Sequence, residues 1–239
     1  MNQLLERSYK VNIIARNKLT VSPTVVAHPS VTLLEGNILE LPESELLEMV
    51  NGTSAVVSCL GHTINFQGLW GNPRDLCAAT ARRIHDAINK TFSPAHHGRF
   101  ILMNTVGVKH HSLHETRSWS DELLLTACRK LLPPHADNEK AAGYLERDCQ
   151  PHEGTRMDWV VVRPDSLIDA DTVSDYDVVE SPTTTILNGR NTSRINVANF
   201  MVELIQDDAL WKEWAFRMPV VMDTIPDGEN GGVNLKEDF

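Results

Sequence analysis

The chain has 239 residues, of which 41% are hydrophobic and 23% are charged, a composition ordinary for a folded protein with one large core or two small ones. The formal net charge of -10 argues against a nucleic-acid-binding surface, which would need clustered lysine and arginine. The sequence contains no apolar run of about 18 residues, so it predicts no membrane span.

Strand-like and helix-like segments alternate along the chain. The expected strands are apolar and rich in β-branched residues, and they cover residues 11–15, 31–37, 54–62, 99–108, 158–164 and 219–223. The expected helices cover residues 2–9, 44–52, 73–92, 193–207 and two pieces of 120–149 that are separated by Pro133 and Pro134. Strands that are apolar nearly throughout are buried on both faces, and connections of helical length predict parallel crossovers. The sequence therefore predicts an α/β fold with a Rossmann-like, doubly wound parallel sheet.

No internal repeat or low-complexity linker divides the chain. We therefore expect a single domain over residues 1–239, with a small C-terminal lobe at about 165–225 that faces the substrate. The acidic segment 168–180 is expected to be a solvated loop, and the polar segment 227–239 is expected to be a mobile tail.

Polar residues that directly follow the first two strands are candidates for binding a nucleotide. Ligands of such sheets bind at the carboxyl ends of the strands. Arg16 and Asn17 follow the first strand, where a cation could contact a ribose 2′-phosphate; the alternative is a solvated loop arginine. Asn37 and Ile38 follow the second strand, where an amide could hydrogen-bond an adenine ring and the isoleucine could pack on its face. The alternative for Asn37 is a local turn closed by its own side chain.

The next two strands also end in candidate residues. Leu60 and Gly61 follow the third strand, and a glycine lets a flat cofactor approach the backbone closely because it has no side chain. Asn104 and Thr105 follow the fourth strand. A hydroxyl at that point could donate to a substrate carbonyl, or it could simply satisfy nearby backbone groups.

The order of these segments resembles that of one known family. The sequences ARN, EGN, VVSCLG, RFILMNTVGV, WVVVRPDSL and RINVANFMVELI occur in this order over roughly residues 5–222. Together they are similar to the atypical short-chain dehydrogenase/reductase group, and within it to the NmrA-like and biliverdin/flavin reductase-like branch. WVVVRPDSL is the strongest single match, because Arg-Pro at the end of that strand is typical of the family.

The resemblance implies a Rossmann sheet of strand order 3-2-1-4-5-6 that binds NADP, with NAD as the less favoured cofactor. It assigns the 2′-phosphate contact to Arg16 and the adenine pocket to Asn37 and Ile38. It places Lys140 at the nicotinamide ribose and Thr105 where relatives carry a serine or threonine. The remaining expected cofactor contacts are Asn17, Leu60, Gly61, Asn104 and Pro164, with Asp165 beside the nicotinamide end.

One departure from the family concerns the catalytic tyrosine. The family uses Tyr-x-x-x-Lys, in which the phenol acts as an acid, but the residue four positions before Lys140 is Ala136. Tyr144 lies four positions after the lysine, with the spacing reversed. The resemblance therefore leaves two interpretations open. One is an oxidoreductase with Thr105 and Lys140 as catalytic residues that orients donor and acceptor, and the other is a non-catalytic dinucleotide sensor that signals to a protein partner.

A second departure lies at the start of the chain. Relatives begin with a strand and a G-x-x-G-x-x-G turn, which holds the pyrophosphate at a helix N-terminus, whereas residues 1–10 contain no glycine. The sequence thus predicts an N-terminally truncated Rossmann-like sheet without its first, central strand, either as a truncated product or as a diverged member of the family that lacks the phosphate-binding turn. We expect the strands at 11–15 and 54–62 to lack a neighbour, and we expect weakened stability and cofactor affinity.

The remaining signals concern metals and location. His110, His111 and His114 cluster, but no third ligand with the spacing of a metal site is evident, so we expect no metal. The four cysteines show no CxxC spacing and the N-terminus lacks the apolar core of a signal peptide, which favours a cytoplasmic protein. The expected partners are a dinucleotide and a small-molecule substrate, with a protein partner if the chain is a sensor.

Overall fold

The computed structural model describes residues 1–224 apart from Ile64 and Pro94, so the predicted tail at 227–239 lies outside the described residues. The strands are β1 (Val11–Ala15), β2 (Val31–Glu35), β3 (Ala55–Ser58), β4 (Gly98–Met103), β5 (Met157–Pro164), β6 (Ser166–Ile168), β7 (Tyr176–Val179), β8 (Asn191–Ser193) and β9 (Val220–Asp223). The α-helices are α1 (Asn2–Glu6), α2 (Pro23–Val26), α3 (Glu43–Val50), α4 (Phe66–Trp70), α5 (Leu76–Thr91), α6 (Trp119–Leu131), α7 (Pro133–Asp148), α8 (Arg194–Gln206) and α9 (Asp208–Trp214).

The central sheet has five strands in the order β3-β4-β5-β9-β7. Its strands run parallel except for β7, which pairs antiparallel with β9. This mainly parallel sheet with its flanking helices confirms the predicted α/β class. The expected order 3-2-1-4-5-6 describes one continuous sheet, whereas here β1 and β2 form a separate parallel pair and β6 and β8 form another.

The separation of β1 from β3 agrees with the expected absence of a central strand. Within the described residues, β1 pairs only with β2, and on its side of the sheet β3 pairs only with β4. Ile14 of β1 and Val56 of β3 nevertheless both pack against the same large core. Val57 of β3 is 37% exposed, which is unusual for a strand in the middle of a doubly wound fold. The described part of the structure therefore leaves β1 of the two-stranded sheet and β3 of the central sheet with unpaired edges that face an open strand position.

Side-chain hydrogen bonds hold the β1–β2 pair to the rest of the molecule. The Asn12 amide donates to the Met49 carbonyl at 2.9 Å and so joins β1 to α3. The Gln3 amide donates to the Ile195 carbonyl at 3.0 Å and joins α1 to α8. These two contacts join the N-terminal segment to α3 and α8.

Two large cores lie on the two faces of the central sheet. On one face, Trp159 of β5 and Phe100 of β4 pack with α5 and α7 and have no exposed surface. On the other face, Ile101 and Val160 pack with α8 and α9. Adjacent residues of these strands thus point into opposite cores, which explains why β4 and β5 are apolar nearly throughout.

Several predicted boundaries need correction. The segment 168–180 is not simply a solvated loop, because it contains β7, which adds an antiparallel edge to the sheet. The strand predicted at 99–108 ends at Met103, and the strand predicted at 54–62 ends at Ser58. The predicted break at the two prolines is present: α7 begins at Pro133, where a proline in the first turn costs no backbone hydrogen bond.

Candidate functional site

The candidate site lies where the chain passes from the β1–β2 pair to the central sheet. From β1 the chain passes to β2 on one side, and it then crosses through α3 to β3, β4 and β5 on the other. Ligands of open α/β sheets bind at the carboxyl ends of the strands at such a switch point. The residues that follow β1, β3, β4 and β5 are therefore the ones that can form a shared binding edge.

The residues after β1 differ in their availability. Arg16 is exposed and makes no hydrogen bond or ion pair with another described residue. The side chain of Asn17 instead accepts a hydrogen bond from the Leu19 backbone N–H at 2.9 Å and caps a short 3-10 turn. Of the two, the Arg16 guanidinium is the group available for an anionic ligand.

The residues after β2 are engaged locally. The Asn37 side chain accepts from the Leu39 backbone N–H at 3.1 Å and donates to the Glu40 carboxylate at 2.8 Å. This is the side-chain turn that the sequence left open as the alternative for Asn37. Ile38 is a buried member of the large core on the α5 face, with 9% exposure.

The backbone after β3 is open at one point. The Leu60 side chain packs against the same core, and its carbonyl accepts a hydrogen bond from the Cys77 thiol at 3.4 Å. A Cβ built on Gly61 would meet no atom within 4 Å. A ligand can therefore approach the Gly61 backbone closely.

The residues after β4 connect the sheet to α7. The Asn104 amide donates to the Asn138 carbonyl at 3.0 Å, and its oxygen accepts from the Thr105 backbone N–H at 2.9 Å. The Thr105 hydroxyl accepts from the Gly107 backbone N–H at 3.3 Å, which leaves its O–H free to donate. Lys140 is exposed on the same helix and has no partner among the described residues.

The residues after β5 are largely fixed. Pro164 is buried, and its carbonyl accepts from the Val106 backbone N–H at 3.0 Å. The Asp165 carboxylate accepts from the Arg190 backbone N–H at 3.0 Å. Burial raises the pKa of Asp165, although hydrogen bonds from Arg190 and Ser166 oppose the shift. The structure thus brings Thr105 and Pro164 to the same edge through the contact between residues 106 and 164.

A buried ion pair anchors the segment that follows β4. Arg163, which has no exposed surface, donates to both carboxylate oxygens of Glu115 at 2.6 and 3.0 Å. It also donates to the carbonyls of Val108, Met218 and Glu180. Burial raises the pKa of Glu115, but the hydrogen bond and charge of Arg163 outweigh burial and hold it below its usual range. The arginine of the WVVVRP motif is therefore a structural anchor.

The same region contains a buried histidine with an incomplete set of partners. His110 is 3% exposed, its Nδ1 has no hydrogen-bond partner, and its Nε2 lies 3.9 Å from Glu146 Oε1. Burial lowers the pKa of His110 below the ordinary 6.5, although the nearby Glu146 charge opposes the shift.

We expect His110 to make the protein acid-sensitive. Because its folded-state pKa is depressed, the unfolded chain binds a proton first as the pH falls below about 6.5, so stability present above that pH is lost below it. His110→Gln should flatten the fall in unfolding free energy between pH 7 and 5, by at most about 1.4 kcal/mol per pH unit. Urea unfolding at each pH measures this. His111→Gln, which changes an exposed neighbour, is the control, and an unchanged slope in His110→Gln would contradict the expectation.

A cluster that sequence reasoning missed lies between β3 and α7. The His62 Nε2 is 2.8 Å from Asp137 Oδ2, and ligand atoms of His62, Cys77 and Asp137 all lie within 4.8 Å of one another. Asp137 has no exposed surface and also accepts from the backbone N–H groups of Cys77 and Ala78 at 2.8 and 3.1 Å. Burial and the nearby Asp137 charge raise the pKa of Cys77 to about 12.

Tyr144 lies at the opposite end of α7 from this cluster. Its hydroxyl hydrogen-bonds His85 Nδ1 at 2.7 Å. His85 and Cys149 line a cavity of about 350 Å³ together with Met157, which begins β5. Tyr144 is thus at the amino-terminal edge of the sheet and does not reach the candidate site.

Comparison with known proteins identifies the family of the chain. Residues 1–208 match the protein family described as NAD(P)H-binding. The chain belongs to this NAD(P)H-binding family. A search of curated proteins found no match. No helix in the part of the chain that the structure describes is long and apolar enough to cross a bilayer.

Solved structures share the fold at low sequence identity. The oxidoreductase ylbE from Lactococcus lactis is 15% identical, with a TM-score of 0.62 over 93% of this chain and 84% of that one. A short-chain dehydrogenase/reductase from Veillonella parvula in complex with NADP is 14% identical, with a TM-score of 0.63 over 96% and 89%. ChuY, an anaerobillin reductase from Escherichia coli, is 16% identical, with a TM-score of 0.63 over 96% and 91%. These likenesses establish a Rossmann-like, doubly wound fold for this member of the NAD(P)H-binding family.

The described residues fit a dinucleotide at the expected edge. Arg16 supplies an exposed cation after β1, and Gly61 leaves open space after β3. Lys140 supplies an exposed donor on α7. No glycine-rich turn for the pyrophosphate occurs among residues 1–224 outside the two gaps. The described residues therefore offer candidate contacts for the adenosine and nicotinamide ends of the ligand, but no glycine-rich turn for its pyrophosphate.

Proposed function

We propose that the protein is an NADP-preferring oxidoreductase of the atypical short-chain dehydrogenase/reductase group, with an NmrA-like or biliverdin/flavin reductase-like architecture. The observation that carries the preference is Arg16, which follows the strand nearest the switch point and has no carboxylate partner among the described residues. A guanidinium binds phosphate with several hydrogen bonds at once. A free cation there favours the 2′-phosphate of NADP over the bare hydroxyl of NAD.

Bound NADPH would supply the hydride, and the chain would bind and orient the reactants. Lys140 would hold the nicotinamide ribose, and Gly61 would let the cofactor lie against the backbone of the loop after β3. Thr105 would donate its hydroxyl hydrogen to the oxygen of a carbonyl or quinone substrate. The anchored segment after β4 keeps Thr105 in a fixed position, so proximity can contribute to the rate.

Arg16→Ala tests the cofactor preference. We expect NADPH affinity to fall about 10- to 100-fold, because a charged hydrogen bond to the phosphate contributes about 1.5–3 kcal/mol. NADH affinity should stay unchanged, because NADH has no phosphate at that position. Titrations of both nucleotides by fluorescence measure the two affinities. Lys212→Ala removes one exposed positive charge from α9 and serves as the control. Equal losses for both nucleotides would contradict the assignment of Arg16.

A non-catalytic dinucleotide sensor with a protein partner is the second candidate. It is favoured by Ala136, which occupies the position of the family tyrosine, and by Tyr144, which bonds His85 at the other edge of the sheet. NADPH oxidation against a panel of quinones, flavins and carbonyls separates the two functions. Turnover supports the oxidoreductase, whereas tight NADPH binding without turnover supports the sensor. Either function suits a cytoplasmic compartment, where the four cysteines would remain the free thiols seen here.

A further inference from the structure

His62 and Asp137 form a dyad at the edge of the sheet where the dinucleotide would bind. His62 directly follows Gly61, whose backbone is open to a ligand. Asp137 lies on α7 three residues before Lys140, and the next residue, Asn138, is bonded to Asn104 at the end of β4. The dyad therefore lies between the ends of β3 and β4. Gly61 follows β3, and Thr105 follows β4.

The hydrogen bonds of Asp137 define the tautomer of His62. As a carboxylate, Asp137 can only accept hydrogen bonds, so His62 must donate from Nε2. The N-terminus of α5, whose Cys77 and Ala78 N–H groups also donate to Asp137, stabilises the negative charge there. No lysine or arginine forms an ion pair with Asp137 among the described residues, so His62 is its only charge partner. Nδ1 is then the nitrogen of His62 that can exchange a proton.

The cluster of His62, Cys77 and Asp137 is better suited to proton transfer than to binding a metal ion. Cys77 and Ala78 are in the first turn of α5, and a helix N-terminus disfavours a cation. The Cys77 thiol donates a hydrogen bond to the Leu60 carbonyl at 3.4 Å, so the sulfur is already engaged as a donor. Asp137 already accepts three hydrogen bonds. Only His62 Nδ1 of the cluster is left without a hydrogen bond to a described residue, and a single nitrogen is a poor metal site.

We propose that His62, oriented by Asp137, is the acid that protonates the substrate oxygen, in place of the tyrosine that the chain lacks at this edge. The inference rests on the proposed oxidoreductase function. NADPH gives a hydride to the carbonyl or quinone carbon, and the C=O π electrons move to the oxygen, which takes the proton from His62 Nδ1. NADPH becomes NADP⁺, and His62 regains a proton from solvent. His62 is the catalytic residue, and Asp137 is a positioning residue.

The first experiment replaces His62 by glutamine in the full chain. Glutamine keeps an N–H for Asp137, so we expect the fold and the NADPH affinity to be retained. With an acceptor from the panel above, kcat should fall about 100-fold or more, the range of general acid catalysis, and its dependence on a protonated group should disappear from the pH profile. His85→Gln is the matched control, because His85 is also a half-buried, hydrogen-bonded histidine but lies at the opposite edge of the sheet.

The second experiment needs no turnover. Nitrogen-15 NMR of the imidazoles in the free protein should show His62 protonated at Nε2, and Asp137→Asn should shift the population toward a mixture of tautomers. A dominant Nδ1–H tautomer in the unaltered protein would overturn the dyad. So would stoichiometric Zn²⁺ binding that Cys77→Ser abolishes and that turnover requires, since the cluster would then be a metal site.

The outcomes separate this inference from the proposed function. Failure of NADPH to bind at all overturns the oxidoreductase and the acid role of His62 together, while the NMR experiment still tests the His62–Asp137 hydrogen bond. Binding without turnover overturns the oxidoreductase and the acid role together, whereas turnover that His62→Gln leaves intact overturns the acid role alone. Loss of turnover in Thr105→Val with an unchanged pH profile in His62→Gln would transfer the proton-donating role to Thr105.

Discussion

Arg163→Met should destabilise the protein by about 3 kcal/mol, the lower end of the range for breaking a buried ion pair, because Arg117 remains 3.6 Å from Glu115. Glu115 would remain with 1% of its side chain exposed and would lose two hydrogen bonds to the guanidinium. The Met218 carbonyl would lose its hydrogen bond from Arg163 as well, whereas the Val108 carbonyl would keep its hydrogen bond from Arg117 at 3.1 Å. Each kcal/mol lowers the melting temperature by about 2–4 °C for a chain of this size. Thermal and urea unfolding both measure the loss.

An exposed ion pair provides the control for this prediction. Arg194 pairs with Asp169 at 2.8 Å, with 56% and 91% of the two side chains exposed. Arg194→Met should therefore change the stability by less than about 1 kcal/mol. The triple variant Arg163→Met, Glu115→Leu, Arg117→Met removes all three buried charges of this cluster and should recover part of the loss. If Arg163→Met costs no more than Arg194→Met, the anchoring role of the buried pair is wrong.

A strand added between β1 and β3 should produce the second large effect. We expect an N-terminal extension with five apolar, β-branched residues followed by a G-x-x-G-x-x-G turn to pair with both strands and to cover Val57. Burial contributes about 1.5–3 kcal/mol for each large apolar side chain, so a gain of even about 4 kcal/mol would raise the melting temperature by roughly 10 °C. The new turn should also bind the pyrophosphate and tighten NADPH binding.

An extension that cannot form a strand is the control, and it isolates the contribution of strand pairing to stability and NADPH affinity. The same number of residues with proline at the second and fourth strand positions cannot form the ladder. It should leave both the melting temperature and the NADPH affinity at their original values. Should the apolar and the proline-containing extensions give the same melting temperature, the open position between the two sheets does not accept a strand.

The sequence predicted the elements whose signal is local. The strand at 11–15 matches β1 at both ends, because its apolar run is bounded by Lys10 and Arg16. The division of the helical segment 120–149 follows from two prolines. Proline has no backbone N–H, so inside a helix it would remove a backbone hydrogen bond. Asn17 and Asn37 also follow local rules, because each bonds a backbone N–H two residues on.

The features that the sequence did not predict depend on distant partners. The sequence of β7 resembles an acidic loop because its strand conformation depends on pairing with β9, more than 40 residues later. Glu115 is 48 residues from Arg163, and His62 is 75 residues from Asp137. No periodicity links such residues, so only the fold brings them together. A histidine directly after a glycine at a strand end was the one local signal for the dyad.

The divided sheet also bears on how the protein unfolds. The β1–β2 pair has its own small core around Ile13, Val21 and Val25, and in the described part of the chain its backbone ladder stops there. Such a unit can open while β4 and β5 stay closed, as subglobal units do in many proteins. The calorimetric enthalpy of unfolding should then exceed the van't Hoff enthalpy, so a single melting curve would average two transitions of different cooperativity.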